Sequence, residues 1–392
     1  MDLLKIRKET PGCHDKIFLD SAGSSLPPRS VLEKMDNYLH QEELLGGYET
    51  DSIRAKEINE FYLQTALLLN CKPVNIAFAY NATDAYARAL SAIPFKQGDY
   101  ILTTNDDYIS NQIAFLSLQK RFGIKPVRAN NLENGDIDLE HFEAQMRQYD
   151  PVLVAVTHIP TNSGLVQDVE AIGKICERYE AWYLVDACQS VGQMPVDVKK
   201  IGCDFLSATG RKFLRGPRGT GFLYVSDEVL EYKLEPLFID MRGANWVNAD
   251  EYEMLTDAKR FEMWEFPYAA LVGLTEAIGH ANRLGLSEIY SYNKPLVQNL
   301  REGLMAIGGV QVLDKGSVKS NIVTFHKSGM ALDKLKAILK NEKIYFSISL
   351  RENARIDFDK KKADWAIRLS PHYFNTKEEI ENALHAISEM KE

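Results

Sequence analysis

The sequence predicts an α/β protein with a large, mostly parallel sheet and a smaller α+β domain after it. Through the middle of the chain, apolar runs rich in β-branched and aromatic residues alternate with amphipathic helical patterns. This alternation is typical of βαβ units that build a sheet covered on both faces. After about residue 265 a long helical stretch is followed by short strands and helices. We therefore expect a large domain over residues 31–265 and a small domain from residues 1–30 plus 266–392.

The individual elements follow from the same patterns. The predicted strands are 100–104, 151–158, 181–187, 203–209 and 219–225, then 321–327, 343–350 and 366–371 in the C-terminal part. The clearest predicted helices are 111–123, 168–180, 267–285 and 376–390.

Composition excludes several classes of function. The chain has 392 residues and a formal net charge of −9 with no basic run, so nucleic acid and anionic membranes are not expected partners. Neither a signal peptide nor an apolar stretch of about 20 residues is present. The sequence therefore predicts a soluble, cytoplasmic protein.

Cysteine usage agrees with that location. The five cysteines are Cys13, Cys71, Cys176, Cys188 and Cys203, an odd number without a CxxC pair. A disulfide framework and a zinc site are both disfavoured, and we expect no metal. No cysteine follows Cys203.

Two predicted strands end in residues suited to chemistry. Asp186 ends an apolar strand, and the C-terminal edge of a parallel sheet is where such folds bind ligands; capping of a helix is an equally good interpretation. Lys212 follows the next strand and precedes a glycine-rich loop, with Arg211 beside it. Burial and neighbouring cations lower the pKa of a lysine and make it a nucleophile, although a solvated basic loop has the same composition.

A third pattern lies in residues 75–90, where a strand leads into an alanine-rich helix. Thr83 or Asp84 can cap that helix, and its N-terminus suits a phosphate group. A lysine for a Schiff base, an aspartate for a pyridinium nitrogen and a phosphate-binding helix end are together what pyridoxal 5'-phosphate (PLP) requires.

The same segments resemble the class V aminotransferase group of fold-type I PLP enzymes, which includes cysteine desulfurases, isopenicillin N epimerase-like proteins and C–S lyases. The resemblance covers nearly the whole chain and implies an aspartate aminotransferase-like fold and a homodimer. The similar segments, in chain order, are 18–28, 80–85, 105–111, 156–164, 184–198, 207–225 and 367–376.

The resemblance implies the following cofactor contacts. Lys212 would form the internal aldimine and move the Cα proton, and Asp186 would pair with the pyridine nitrogen. Gln189 would lie near the phenolic oxygen of the ring. The phosphate would be held by Thr83, the Ala82 backbone and Thr209.

Other positions would stack on the ring or bind substrate. Tyr108 fits the stacking position, where desulfurases have a histidine. Arg211 stands where they have a histidine before the lysine, and we expect it to contact the cofactor. Arg368 would bind the substrate carboxylate bidentately. Asn162 and the Ala22–Gly23 backbone would orient the substrate.

Two departures from the family pattern bear on the reaction. Residues 259–267 lack the Gly-Thr-Pro that follows "RFE" in the family, so Trp264 and Glu265 are expected to form a different wall between subunits. Residues 341–368, where a desulfurase carries its persulfide cysteine, contain no cysteine. The resemblance therefore favours transamination or C–S/β-lyase elimination on an amino acid.

Alternatives remain open at this stage. They are cysteine desulfuration, isopenicillin N epimerase-like racemisation with Tyr108 as second proton donor, and a PLP-fold binding subunit without catalysis. An NAD-dependent enzyme is disfavoured because no G-x-G-x-x-G opens a helix after a strand. His158, Arg351 and the pair His372–Tyr373 are further candidates, with buried, solvated and bracing roles as the alternatives.

Overall fold

A computed structural model describes residues 1–389, so Met390 of the last predicted helix lies outside the described residues. The strands, in chain order, are β1 (Ile17–Phe18), β2 (Ile76–Ala79), β3 (Tyr100–Thr104), β4 (Lys125–Ala129), β5 (Leu153–Thr157), β6 (Trp182–Asp186), β7 (Phe205–Thr209), β8 (Gly221–Val225), β9 (Ala244–Asn248), β10 (Glu251–Met254), β11 (Val310–Val312), β12 (Val323–Lys327), β13 (Ile344–Tyr345), β14 (Ser347–Leu350) and β15 (Trp365–Leu369).

The α-helices, in chain order, are α1 (Leu3–Lys8), α2 (Ser21–Ser24), α3 (Arg29–Leu45), α4 (Gly47–Ile53), α5 (Ala55–Leu69), α6 (Ala82–Ala92), α7 (Ile109–Phe122), α8 (Leu139–Tyr149), α9 (Val169–Arg178), α10 (Val198–Ile201), α11 (Asp227–Glu231), α12 (Tyr268–Leu284), α13 (Leu286–Ala306), α14 (Leu332–Asn341), α15 (Arg355–Lys361) and α16 (Lys377–Ser388). Short 3₁₀ helices lie at Pro11–Cys13, Pro73–Asn75, Ala258–Phe261 and Arg351–Asn353.

The main sheet has seven strands in the order β2-β8-β7-β6-β5-β3-β4. Strand β8 is antiparallel to both neighbours, and the other pairs are parallel. Every residue of β5, β7 and β8 is buried, as expected for strands with helices on both faces. The mostly parallel sheet is thus confirmed.

Amphipathic helices cover this sheet. In α9 the buried residues, Val169, Ile172, Ile175 and Cys176 among them, recur at helical spacing on one face. The helix begins where the side chain of Asp168 accepts a hydrogen bond from the Ala171 amide.

The C-terminal part contains a four-stranded antiparallel sheet in the order β11-β12-β15-β14. The N-terminal segment joins it, because Ile17 pairs with Ile344 and Asp20 bridges to Ser370. The predicted strand 343–350 is two strands, since β13 pairs with β1 whereas β14 pairs with β15. Helix α12 packs on α3 and α5. The domain boundaries stay a prediction.

Helices long and apolar enough to cross a membrane are absent from residues 1–389.

Candidate functional site

A cavity lies at the carboxyl ends of the parallel strands β5, β6 and β7. It is lined by Asn81, Ala82, Thr83, Tyr108, Thr157, Ile159, Thr161, Asp186, Cys188, Gln189, Thr209, Arg211 and Lys212. The topology brings these side chains together because the carboxyl ends of neighbouring parallel strands meet at one sheet edge. All eight predicted cofactor-contacting residues are in this set.

Lys212 lies three residues after β7, at the start of the loop that leads to β8. Its side chain is buried, and burial lowers the pKa of the amine; the positive charges of Arg211 and Arg368 act in the same direction and Asp186 opposes them. Loss of charge is the condition under which a lysine amine becomes a nucleophile.

The loop after Lys212 is held by Arg215, which has a positive φ of 62° and is fully buried. Its amide donates to the Lys212 carbonyl at 2.8 Å. Its guanidinium donates to the Leu26 carbonyl at 2.8 Å and to Thr10 Oγ1 at 2.6 Å. It also lies 4.8 Å from the ring centre of Tyr373. The lysine loop is therefore attached to the N-terminal segment.

Asp186 ends β6, and its buried carboxylate is held from two sides. Oδ1 accepts from the Cys188 amide at 3.0 Å, and Oδ2 accepts from Asn111 Nδ2 at 3.2 Å. The carboxylate is thus fixed within the cavity wall.

Tyr108 precedes α7, and Lys212 Nζ lies 6.0 Å from the centre of its ring. The Tyr108 amide donates to Asp107 Oδ1 at 2.7 Å. An aromatic side chain beside the lysine is consistent with a stacking role, which stays a prediction.

The opposite end of the cavity is formed by the N-terminus of α6. The cap is Asn81, whose side chain accepts from the Asp84 amide at 3.0 Å. The prediction that Thr83 or Asp84 caps this helix is therefore wrong, because both lie inside its first turn. Asp84 instead pairs with Arg88 at 2.8 Å.

Strand β8 approaches this helix end closely. A Cβ on Gly221 would lie 2.9 Å from the Asn81 carbonyl carbon and 3.1 Å from the Ala82 amide nitrogen. Only glycine leaves room there, so the strand after the lysine loop packs directly against the backbone of the phosphate-binding candidate.

Arg368 comes from β15 and lies beside the cavity lining. Its Nη1 donates to Thr161 Oγ1 at 2.6 Å and its Nη2 to Asp20 Oδ1 at 3.2 Å. Gln189 Nε2 donates to the same Thr161 oxygen at 3.0 Å and to the Ala22 carbonyl at 3.1 Å. Within the described residues, Arg368 Nε and Gln189 Oε1 are buried without a hydrogen-bond partner.

The other predicted substrate contacts are placed differently. Arg211 donates to the Gly23 carbonyl, which brings the N-terminal segment to the cavity. The Ala22 amide donates to Ser370 Oγ at 2.9 Å. Asn162 lines a neighbouring cavity of about 310 Å³ instead, and its carbonyl accepts from Lys361 Nζ at 3.1 Å.

The remaining candidates lie outside the cavity lining. His158 faces a separate cavity, and burial lowers its pKa to about 4. His372 Nε2 is within 2.8 Å of the Phe213 carbonyl, and its ring packs edge-on against Tyr373. Arg351 forms a surface ion pair with Asp359. The Glu265 carbonyl accepts from the Tyr80 hydroxyl.

The sequence patterns predicted no role for four residues whose side chains form hydrogen bonds at the site: Asp20, Asp107, Asn111 and Thr161. All four fall inside segments that resemble the family, so position within those segments was the available signal. Their contacts depend on three-dimensional neighbours that spacing alone does not reveal.

The residues present fit PLP. A buried lysine with a lowered pKa, a fixed carboxylate and the free first amides of a helix of 11 residues surround one cavity. The unpartnered Gln189 Oε1 and Arg368 Nε are polar atoms that a polar ligand would satisfy.

The sequence profile of the aminotransferase class-V family matches residues 17–383. The chain belongs to this family. Its members are PLP-dependent enzymes that act on amino acids, so PLP is the cofactor of this class-V protein and an α-amino acid is the class of its substrate.

Individual relatives agree with that assignment. A probable cysteine desulfurase of Methanothermobacter thermautotrophicus is 30% identical over 387 residues, covering 96% of this chain and 95% of the relative. An uncharacterized aminotransferase of Bacillus subtilis, YcbU, is 26% identical, with 97% and 96% covered.

Among solved structures, the apo cysteine desulfurase from Thermococcus onnurineus NA1 matches with a TM-score of 0.91. It is 28% identical and covers 98% of this chain and 97% of its own. The aspartate aminotransferase-like fold of the class-V protein is therefore confirmed.

Proposed function

We propose that this class-V protein cleaves the Cβ–S bond of a sulfur-containing amino acid and releases the sulfur in a small molecule. The observation that carries the proposal is the segment 341–368, which has no cysteine to accept the sulfur. For a cysteine S-conjugate the balanced reaction consumes one water and yields a thiol, pyruvate and ammonium.

Lys212 supports this chemistry through its buried amine, whose lowered pKa favours the neutral form. When bound, PLP supplies an aldehyde that takes up amines and a ring that accepts the electron pair released at Cα. Lys212 Nζ would remove the Cα proton and hold it. Asp186 would keep a proton on the ring nitrogen.

At the cofactor's other groups, Thr83, the Ala82 backbone, Thr209 and Arg211 would hold the phosphate end. Gln189 would face the phenolic oxygen of the ring, with Tyr108 stacked on its face. The convergence of all six residues on one cavity supports these roles.

The substrate carboxylate would bind Arg368, whose unpartnered Nε is a free donor within the described residues. Asp20 and Thr161 hold the rest of this guanidinium in place. The backbone at Ala22 and Gly23 would border the substrate, and Asn162 would reach it from the neighbouring cavity.

The segment that replaces the desulfurase loop is fixed to the site. Asp357 in α15 pairs with Lys315 at 2.7 Å and with Lys361 at 2.6 Å. Lys315 also pairs with Asp106, two residues before Tyr108. Buried ion pairs at these positions support a static wall, which differs from a loop that carries a thiol between substrate and solvent.

Cysteine desulfuration is the second candidate, because the relative from Methanothermobacter is a probable cysteine desulfurase and Cys188 lines the cavity. Burial and the charge of Asp186 raise the pKa of the Cys188 thiol, which opposes its use as a nucleophile. Transamination shares the same first steps and is the third.

A product assay separates the three. The purified holoenzyme is incubated with cysteine, cystine and S-alkyl cysteines, with and without a 2-oxo acid. We expect pyruvate and ammonium in equal amounts without the 2-oxo acid. Alanine with a protein-bound sulfur would indicate desulfuration, and turnover that requires the 2-oxo acid would indicate transamination; either result contradicts the proposal.

We further propose that the protein is a cytoplasmic homodimer. Large apolar side chains are exposed across one segment, namely Leu237, Phe238, Met241, Trp246, Val247, Tyr252, Met263 and Trp264. Such a surface is typical of an interface. Light scattering should give twice the 44.4 kDa chain mass. Trp246→Glu should lower the mass measured in solution. Leu4→Glu, at an exposed side chain of α1, should leave that mass unchanged.

A further inference from the structure

Two buried carboxylates meet beside the cofactor cavity and share one amide group. Asn111 Nδ2 donates to Asp107 Oδ1 at 2.9 Å and to Asp186 Oδ2 at 3.2 Å. Asn111 is in the first turn of α7 and is itself 4% exposed. A single side chain therefore connects the start of this helix to the end of β6.

Asp107 is held on every side by donors. Oδ1 also accepts from the Tyr108 amide at 2.7 Å and from Thr157 Oγ1 at 2.5 Å. Oδ2 accepts from Gln112 Nε2 at 2.9 Å and from Thr103 Oγ1 at 3.1 Å. All of these groups donate, as an ionised, acceptor-only carboxylate requires. Asp107 is thus a fixed point to which Asn111 is attached.

Asp186 is held much less firmly. Within the described residues Oδ1 accepts from the Cys188 amide and Oδ2 from Asn111, and the Cys188 thiol also interacts with the carboxylate. Without Asn111, Oδ2 loses the amide that donates to it, and the carboxylate can rotate about the bond to Cβ. The direction in which Oδ2 points therefore depends on Asn111.

The same contacts reach the candidate for ring stacking. The amide of Tyr108 donates to Asp107, so the carboxylate that orients Asn111 also fixes the backbone from which the Tyr108 ring projects. The stacking side chain and the carboxylate at the ring edge are thereby held in one arrangement.

We propose that Asn111, anchored by Asp107, is a positioning residue that directs the Asp186 carboxylate at the ring nitrogen of PLP. The inference rests on the role of Asp186 in the proposed function. It goes beyond that function because neither Asp107 nor Asn111 touches the cofactor in this account.

Cofactor binding tests the inference without knowledge of the substrate. Dissociation constants are measured by fluorescence for PLP and for its 1-deaza analogue, in which a C–H replaces the ring nitrogen. Asn111→Ala should weaken PLP binding about 10-fold, the scale of one hydrogen bond to a charged group. It should change binding of the deaza analogue less than about 2-fold, because that ring offers Asp186 no nitrogen.

Gln112→Ala is the matched control. Gln112 is the next residue in α7 and also donates to Asp107, yet it makes no contact with Asp186. This variant should change binding of either cofactor less than about 2-fold. Thermal unfolding of each apoprotein monitors folding, and Asn111→Ser replaces Asn111→Ala if the latter does not fold.

Equal weakening of PLP and the deaza analogue by Asn111→Ala would assign Asn111 a purely structural role and overturn the inference. Unchanged PLP binding would overturn it as well. Failure of the proposed function, in which Asp186 contacts the ring nitrogen, gives a different result. Asp186→Asn, with Asn111 intact, would then also leave the preference for PLP over the deaza analogue unchanged.

Discussion

The site combines two parts that differ in burial and in agreement with the family pattern. One part is the carboxyl ends of β6 and β7, and the other is the segment 341–368. The strand ends supply the buried Asp186 and Lys212, which both match the family pattern. The segment 341–368 lacks the cysteine of desulfurases and is held by the ion pair between Asp357 and Lys315 and by the hydrogen bond from Lys361 to the Asn162 carbonyl.

The contrast separates two kinds of determinant. Burial between helices leaves the strand ends little freedom to change, and we propose that they provide the chemistry that all reactions at PLP share. The C-terminal segment is partly exposed and can exchange residues without disturbing the sheet. Under the proposed function, the fate of the substrate is therefore decided in the segment 341–368, where the family pattern is weakest.

The largest effect should come from the strand ends. Lys212→Ala removes the amine that we propose attaches the cofactor and moves the proton, so turnover should fall on the order of 1,000-fold. Borohydride reduction and peptide mapping should find the pyridoxyl label on Lys212 of the wild type. Lys199→Ala, which changes an exposed lysine, should keep wild-type turnover and the label on Lys212. A label on another lysine would contradict the site assignment.

The next effect concerns the ion pairs of the C-terminal segment. Lys315→Ala leaves Asp106 and Asp357 buried with one cation fewer, so the free energy of unfolding in urea should fall by about 3 kcal/mol. Lys336→Ala removes an exposed ion pair with Asp333 and should change the free energy of unfolding by less than about 0.5 kcal/mol. Equal losses would show that the segment is not fixed by these contacts.

Arg368 ends the segment 341–368 and is the residue that we expect to bind the substrate carboxylate beside the strand ends. Arg368→Lys keeps the charge and loses the forked geometry, so transition-state stabilisation should fall by about 2–3 kcal/mol in kcat/KM. The loss should disappear with decarboxylated amine analogues. Arg351→Lys, on the surface, should have no effect. A loss that persists with the amines would assign Arg368 a structural role.

A smaller effect tests the buried end of β7. Burial raises the pKa of Asp204 to about 7, above its value in the unfolded chain. The folded state then binds the proton more tightly, so this stabilisation is complete below about pH 4 and lost as the pH rises through 7. Asp204→Asn should raise Tm by about 2–4 °C at pH 8 and not at pH 4. Exposed Asp333→Asn should show no such gain.

The smallest effect is expected at Cys188. Cys188→Ala should keep turnover with sulfur-containing amino acids, and intact-mass spectra of both proteins should show no added sulfur. An adduct of about 32 Da that disappears in the variant would place a persulfide on Cys188. The sulfur would then be accepted by a residue at the strand ends and not by the segment 341–368.

Sequence patterns predicted the sheet well because buried parallel strands are short apolar runs. The prediction for 100–104 coincides with β3, and Asp186 and Lys212 lie at the sheet edge as expected. Strand 343–350 failed because pairing with β1 in one half and β15 in the other is a tertiary choice. The predicted caps of α6, Thr83 or Asp84, lie two and three residues after the actual cap Asn81, which also satisfies the capping rule.

The contacts that organise the site were beyond prediction for a related reason. Asp107, Asn111 and Asp186 meet because a helix start and a strand end converge in space. Thr161 lines the cavity, whereas its neighbour Asn162 lines the adjacent one, because the chain turns at residues 161–163. The segments were identifiable, and the individual side chains within them were not.

Attachment of the N-terminal segment has a consequence for folding during synthesis. Ile17 pairs with Ile344, Asp20 bridges to Ser370, and Thr10 accepts from the buried Arg215. Ile17 and Asp20 thus meet partners that lie 327 and 350 residues further along the chain, and the partner of Thr10 lies 205 residues away. Contacts of such high sequence separation form late. The candidate site, where Asp20 accepts from Arg368, is therefore expected to be completed late in folding, and until then the chain exposes apolar surface that makes it prone to aggregate.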